Sequence, residues 1–312
     1  MASLALLVSL LAQPAVAANA SSCNGGPTTP VSRNQIHKNP RPVEYRGNAQ
    51  PPAGMSHSEW ADRIELAALA RVLYAYGFGS DLAAQCVMAR LRDQPDTMIM
   101  NEWGLFFEEA TASSLVKVRF GESTPPEGLH EHANGNVSPS KPDIVNVGCV
   151  PVGRAIFNAR SDVNSIIHAH PHAVMAVAST EPGLLPLSQA AFFLHGTIGR
   201  YKYDFSYESE FEDEIAGQFA SGKRAVMLDH HGLYAVGKSA QESWFVTFHL
   251  HQACEVQLRA MSSGQKLMMP SASHLNRQYR DMMESPDYAY DGSREWAGCV
   301  RKVNRELPGY EL

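Results

Sequence analysis

An apolar run that ends in alternating histidines and then meets a proline constrains this chain more than any other stretch: VNSIIHAHPHAVMAVAS, from Val163 to Ser179. Its first half reads as a buried strand. Pro171 suits the first turn of a helix, where its missing N–H is an orphan donor anyway, so PHAVMAVAS continues as helix. A strand feeding directly into a helix fixes a junction, and the histidines sit at it. Successive side chains on a strand alternate faces, so His168 and His170 project the same way, about 7 Å apart at the backbone. Two imidazoles so placed can lean onto one metal ion.

Such a pair is equally compatible with a hydrogen-bonded surface feature, and a third ligand is what separates the two readings. The segment KRAVMLDHHGLYAVGKS reads as strand, glycine turn, strand. His230 and His231 end its first strand just before the turn, where side chains converge at the edge of a sheet. Neutral imidazoles suit zinc, manganese or iron(II), and three of them leave positions open for water or substrate, as in catalytic rather than bracing sites. A divalent metal is therefore expected, zinc first, with iron or manganese as alternatives. His172 opens the helix, and its simpler reading is a solvent-facing histidine rather than a substrate contact.

The remaining sequence sets these residues in one large domain. The chain has 312 residues, 44% hydrophobic and 19% charged, with a net charge of -6 and no block of like charge. That composition folds, and it offers no footprint for nucleic acid or for an anionic membrane, which leaves a small molecule as the expected partner. Residues 1–17, MASLALLVSLLAQPAVA, carry a short apolar stretch followed by Ala-Val-Ala, the pattern of a cleaved signal peptide. The run is shorter than the ~20 residues of a spanning helix, so a secreted or periplasmic location is expected.

Residues 18–55 are rich in Pro, Gly, Asn and Ser and read as an extended polar arm. Ser56 and Glu59 form a capping-box pattern, and Trp60, Ile64, Ala68, Val72 and Tyr76 recur at helical spacing up to Gly77. The main domain is expected over 56–262. Within it, Gln85–Leu115 reads as hairpin-linked strands, 121–147 as a loop, and VPVGRAIFNARSD as a helix. Ser239 with Glu242 caps a long helix that carries Val246, Leu250 and Ala253 on one face. Residues 263–312 read as an irregular, polar C-terminal extension.

Five cysteines, Cys23, Cys86, Cys149, Cys254 and Cys299, stand at wide spacings without a CxxC pair. Neither a zinc ribbon nor a dense disulfide scaffold is indicated. An exported chain is free to join two of them, and spacing does not name the pair. Asn19 and Asn136 head N-x-S acceptor patterns.

The stretches NEWGLFFEEATASSLVKV, NVGCVPVGRAIFNARSDVNSIIHAHPHAVMAVAS, GLLPLSQAAF, KRAVMLDHHGLYAVGKSAQESWF and ACEVQL resemble, in order, the class II aldolase/adducin family across residues 57–261. The resemblance implies a three-layer αβα fold with a central, mostly antiparallel sheet, and commonly a tetramer with active sites between subunits. It assigns the metal ligands as His168, His170 and His231, leaving His172 and His230 outside the set. It also exposes departures. The family's acid/base glutamate aligns with Cys149, a histidine four residues further on aligns with Gly153, and the turn that lines a phosphate pocket falls at Gln85-Cys86. A sugar phosphate is thus a poor substrate expectation.

Other acid/base candidates are weaker than the metal set. Glu108 and Glu109 suit a solvated face, His195 and Tyr201 lie on the segment after the histidine helix, and His249, His251 and Glu255 lie on the long helix. Cys149 suits packing better than nucleophilic work, because nothing near it in sequence would lower its pKa. Three readings follow: a metal-dependent lyase acting on a non-phosphorylated oxo or hydroxy-carbonyl compound, by aldol-type cleavage or decarboxylation; a non-haem iron oxygenase on the same scaffold; and a catalytically inactive adducin-like interaction protein. Loss of the glutamate speaks against an ordinary aldolase, and retention of the histidines against a mere binding scaffold.

Overall fold

The structure is a computed structural model that describes residues 42–45, 50–79, 84–121, 130–131, 137–138, 145–146, 148–203, 209–285 and 288–312. The expected signal segment 1–17, most of the arm at 18–55, Cys23, Asn19, Asn136 and most of 121–147 lie outside the described residues. Helix α1 (His57–Ala75) starts where the sequence places it, with the Ser56 hydroxyl accepting from the Glu59 N–H at 3.0 Å. It stops at Gly77, whose φ of 84° breaks the helical run.

A seven-stranded sheet follows the order β3-β2-β1-β6-β9-β8-β7, from β1 (Cys86–Arg90), β2 (Thr97–Met100), β3 (Val116–Arg119), β6 (Ser165–Ala169), β7 (Ile198–Tyr201), β8 (Ala225–Leu228) and β9 (Gly232–Gly237). Every neighbouring pair is antiparallel except β7 and β8. Two short strands, β4 (His130–Glu131) and β5 (Val137–Ser138), pair separately. The helices are α2 (Cys149–Ala159), α3 (His172–Ala178), α4 (Gln189–Phe193), α5 (Ser209–Ala220), α6 (Ala240–Ser262), α7 (Ala272–Met283) and α8 (Ser293–Glu306). Among the described residues, no helix is long and apolar enough to cross a membrane.

The strand period sorts side chains into two cores and so produces the three layers. Val87, Ile99 and Ile167 pack with α1, α8 and the start of α6, while Met227, Leu233 and Ala235 pack with α3 and the rest of α6. On the opposite face Met88, Met98, Ile166, Val226 and Val236 meet Val152, Ile156 and Phe157 of α2 and Ile215 and Phe219 of α5. The expected αβα architecture with a mostly antiparallel sheet is the observed one.

The expectation of an irregular tail at 263–312 is corrected by α7 and α8. Charge masks α8 in the sequence, yet Trp296, Val300 and Val303 form an apolar stripe that is buried against α1. The indole N–H of Trp296 donates to the Tyr45 hydroxyl at 2.8 Å, and Val43 and Tyr45 pack on the same core, so this part of the expected arm is not a free polar extension. The Arg71 guanidinium donates to the carbonyls of Ala110 at 2.9 Å, Leu307 at 3.0 Å and Pro308, and the Ala112 N–H donates to the Tyr310 carbonyl at 2.8 Å. The tail therefore belongs to the folded unit.

Candidate metal centre

Strand β6 ends at Ala169, and His168 and His170 point to the α2/α5 face of the sheet, as their spacing requires. His231 reaches them from the β8–β9 turn. That turn is tight: His230 has a φ of 60°, and the His231 N–H donates to the Leu228 carbonyl at 3.2 Å. A non-glycine residue in the left-handed region is strained, and here the strain accompanies a turn that aims the next side chain inward. His230 itself is exposed, with Nδ1 at 3.0 Å from the Ser179 hydroxyl.

The Nε2 atoms of the three histidines form a triangle, 3.0 Å between His168 and His170, 3.2 Å between His170 and His231, and 3.4 Å between His231 and His168. Imidazole nitrogens sharing one zinc at about 2.0–2.1 Å in tetrahedral geometry lie about 3.3 Å apart, so the triangle has the size the ion requires. His168 Nδ1 faces the Leu233 carbonyl at 3.0 Å, which places the proton on Nδ1 and leaves Nε2 as a lone pair. Burial, and then the neighbouring His170 and His231, hold the His168 pKa well below the ordinary imidazole value, while the bond to Leu233 pulls weakly the other way. His168 is accordingly neutral near pH 7 and ready to ligate.

Neighbouring residues fix these rings. Tyr234, the register partner of His168 on β9, stacks on it with centroids 4.2 Å apart. Tyr203, just beyond β7, stacks on His231 at 4.0 Å. The Gln85 side-chain carbonyl accepts from the His170 N–H at 3.3 Å, and Asn101 ties this edge by donating to the Gln85 carbonyl at 3.2 Å while accepting from the Val87 N–H at 2.8 Å. A Cβ on Gly232 would stand 2.5 Å from the Ala169 carbonyl and 2.6 Å from Cδ2 of His170, so only glycine lets β9 pass this close. Sequence reasoning missed both tyrosines and the part played by Gly232. A large aromatic on an otherwise aliphatic strand was the available signal for Tyr234.

The triangle opens into a cleft of 1430 Å³. Trp103, Phe120, Tyr203 and Phe211 give its wall an aromatic character, and Arg154, Asn158, Glu212 and Asp213 supply polar groups. Partial burial and the adjacent Asp213 raise the Glu212 pKa, against the pull of Arg154.

The other sequence-derived candidates are dispersed. Cys149 also lines the cleft but is disulfide-bonded to Cys86, which removes it as a nucleophile, corrects its reading as a packing cysteine, and names the pair that spacing left open. The bridge forms because Cys86 is the register partner of His168 and the first turn of α2 passes over that strand end. At Gly153 the space is taken by the Met88 thioether, 2.5 Å from where a Cβ would stand. His172 is exposed at the start of α3. His195 is turned toward α7, with Nε2 2.8 Å from the Asn276 side-chain carbonyl. Tyr201 packs edge-on against Phe211 at 5.2 Å. Glu109 accepts from the Phe106 N–H at 2.8 Å in a local cap beside Glu108. His249 bonds the Phe245 carbonyl at 2.9 Å within an aromatic nest, and His251 pairs with Glu255 at 3.8 Å, both on the far side of the sheet from the triangle.

Residues 64–258 match the model of the Class II Aldolase and Adducin N-terminal domain. A Caulobacter vibrioides protein named for aldolase class 2 is 30% identical over 82% of this chain and 94% of its own length. Human gamma-adducin is 33% identical over 65% of this chain, a match that spans 27% of adducin. An aldolase II superfamily protein from Pseudomonas syringae superimposes with a TM-score of 0.70 at 24% identity, over 83% of this chain and 98% of that one. With the fold, the domain match and the histidine triangle in agreement, this chain belongs to the class II aldolase and adducin family.

Proposed function

We propose that the protein is a metal-dependent lyase in which His168, His170 and His231 hold one divalent cation, zinc in the first place. The observation that carries this reading is the closed Nε2 triangle at the floor of a cleft. A cation bound there would supply Lewis-acid polarisation of a substrate carbonyl. The residues of the chain do the rest: Gln85, Tyr234 and the Leu233 carbonyl orient the rings, and the aromatic wall shields the reacting atoms from water. The substrate class is a non-phosphorylated oxo or hydroxy-carbonyl compound. A disulfide, which can neither take nor give a proton, stands at Cys149, and this disfavours the cleavage of phosphorylated ketoses.

The test is metal content and retention. His231→Ala is expected to strip the ion, whereas His230→Asn, which tolerates the left-handed turn, keeps it; equal loss in both would sink the ligand assignment. Elemental analysis of protein purified without added metal separates zinc, which favours the lyase, from iron, which would favour the oxygenase reading. Absence of any bound metal would leave an adducin-like interaction role. The Cys86–Cys149 bridge also supports export, since disulfides persist in oxidising compartments. N-terminal sequencing of native protein near Ala18 checks that location, and sedimentation checks the tetramer that belongs to the same proposal.

A further inference from the structure

We propose that Tyr203 is the catalytic acid/base of this centre, an assignment that rests on the lyase reading above. Among the described residues, the side chains along the cleft that can exchange a proton near neutral pH, the three histidines apart, are Tyr203, Tyr234, Glu212 and Asp213. Cys149 has no proton to give. Tyr234 is 2% exposed and lies beneath His168 within the core shared by α2 and α5. Glu212 and Asp213 sit on α5, and Glu212 interacts electrostatically with Arg154 of α2. Among the described residues of this set, Tyr203 combines ring contact with the triangle and partial exposure to the cleft. Its ring lies 4.0 Å from that of His231 at an interplanar angle of 24°, and Phe211 braces it edge-on at 5.8 Å.

Cleavage of a β-hydroxy carbonyl compound breaks the bond between its α and β carbons. The electron pair stays with the carbonyl fragment as an enolate, the hydroxyl carbon becomes the new carbonyl, and the hydroxyl proton is released. The hydroxyl proton passes to water in the open cleft, Tyr203 gives its phenol proton to the enolate carbon, and the phenolate regains a proton from the same water. Charge and atoms balance without an added reactant. A group working this way needs reach to the substrate, not a role in holding the ion, so Tyr203→Phe separates the two.

The experiment uses the zinc-loaded full chain, with hydroxyacetone in D₂O as the proton-transfer probe and acetohydroxamate as the binding probe. Tyr203→Phe is expected to retain zinc against a chelator as the wild type does. It should bind acetohydroxamate about threefold to tenfold more weakly, for the lost hydrogen bond. Deuterium incorporation at the carbons next to the hydroxyacetone carbonyl should fall by roughly 10²–10⁴-fold. Tyr203→Leu, which also loses the stack on His231, should release zinc more readily, and Glu212→Gln should keep the exchange. Wild-type exchange in Tyr203→Phe, its loss in Glu212→Gln instead, or no exchange by zinc-loaded wild type would each overturn the assignment. Failure of the wild type to hold zinc would instead strike the lyase reading on which it stands.

Discussion

On the α1 and α8 face of the sheet, buried charge is answered by opposite charge and by carbonyls. Arg63 meets Glu59 at 2.9 Å and the Leu115 carbonyl at 2.8 Å, and Lys117 adds a second cation to Glu59 at 2.8 Å. Across the sheet the buried His168 and His170 meet the half-buried His231, with no carboxylate in the cluster among the described residues, beside an open cleft. Buried like groups are costly unless something shares them, whereas answered pairs can be sealed in without further help. The first face is arranged to be complete by itself. The second is arranged to be completed by something else.

That contrast can be broken from the sealed side first. Trp296→Ala should destabilise the fold by about 3–5 kcal/mol, because a buried indole leaves a cavity and its N–H is lost as the donor to the Tyr45 hydroxyl. Denaturant titration measures the loss, and zinc bound per folded molecule should not change. Removing the Cys86–Cys149 bridge, whose partners are 63 residues apart, should cost about 2–4 kcal/mol. It should also loosen zinc, since Cys86 lies directly across from His168; unchanged zinc affinity would mean that the bridge braces the fold and not the site. Gly232→Ala sharpens the comparison further. Overpacking at that point should cost only about 1–3 kcal/mol. Zinc affinity should nevertheless drop roughly 10–100-fold, as when the groups that orient metal ligands are disturbed, because the new methyl meets the His170 ring. Competition with a chromophoric chelator reads that ratio.

The parts of the molecule legible in the sequence are those set by local period. The spacing of Ser56, Glu59 and Trp60 announced α1, and alternation on β6 announced His168 and His170. What stayed hidden depends on register, which a single chain does not print. Tyr234 stands beside His168, and Cys86 on its other side, only because β9 and β1 pair with β6 at one offset out of several. Tyr203 reaches His231 across 28 residues of chain (231 − 203) through the pairing of β7 with β8. Helix α8 was hidden for a different reason: its Arg, Lys and Glu residues outweigh a narrow apolar stripe in any average over the segment, although Trp296, Val300 and Val303 mark the helical spacing.

The parallel pairing of β7 with β8, single among the described strands, divides the cleft by course of chain as well as by position. Parallel neighbours need a long crossover, and here the crossover carries α5 onto the same face as α2. The floor of the cleft is thus made by the strand ends and turn that hold the histidines, one wall by α2, and the other by the described part of the segment that leaves the sheet after β7 and returns at β8. Lengthening, shortening or exchanging that excursion would redraw the mouth of the cleft, with Tyr203 and Phe211, while β6 and β9 keep their pairing. The histidines thus stand on one set of strand pairings and the ring stacked on His231 stands on another, so a change in the excursion reaches the site through Tyr203 without touching the register of β6 and β9.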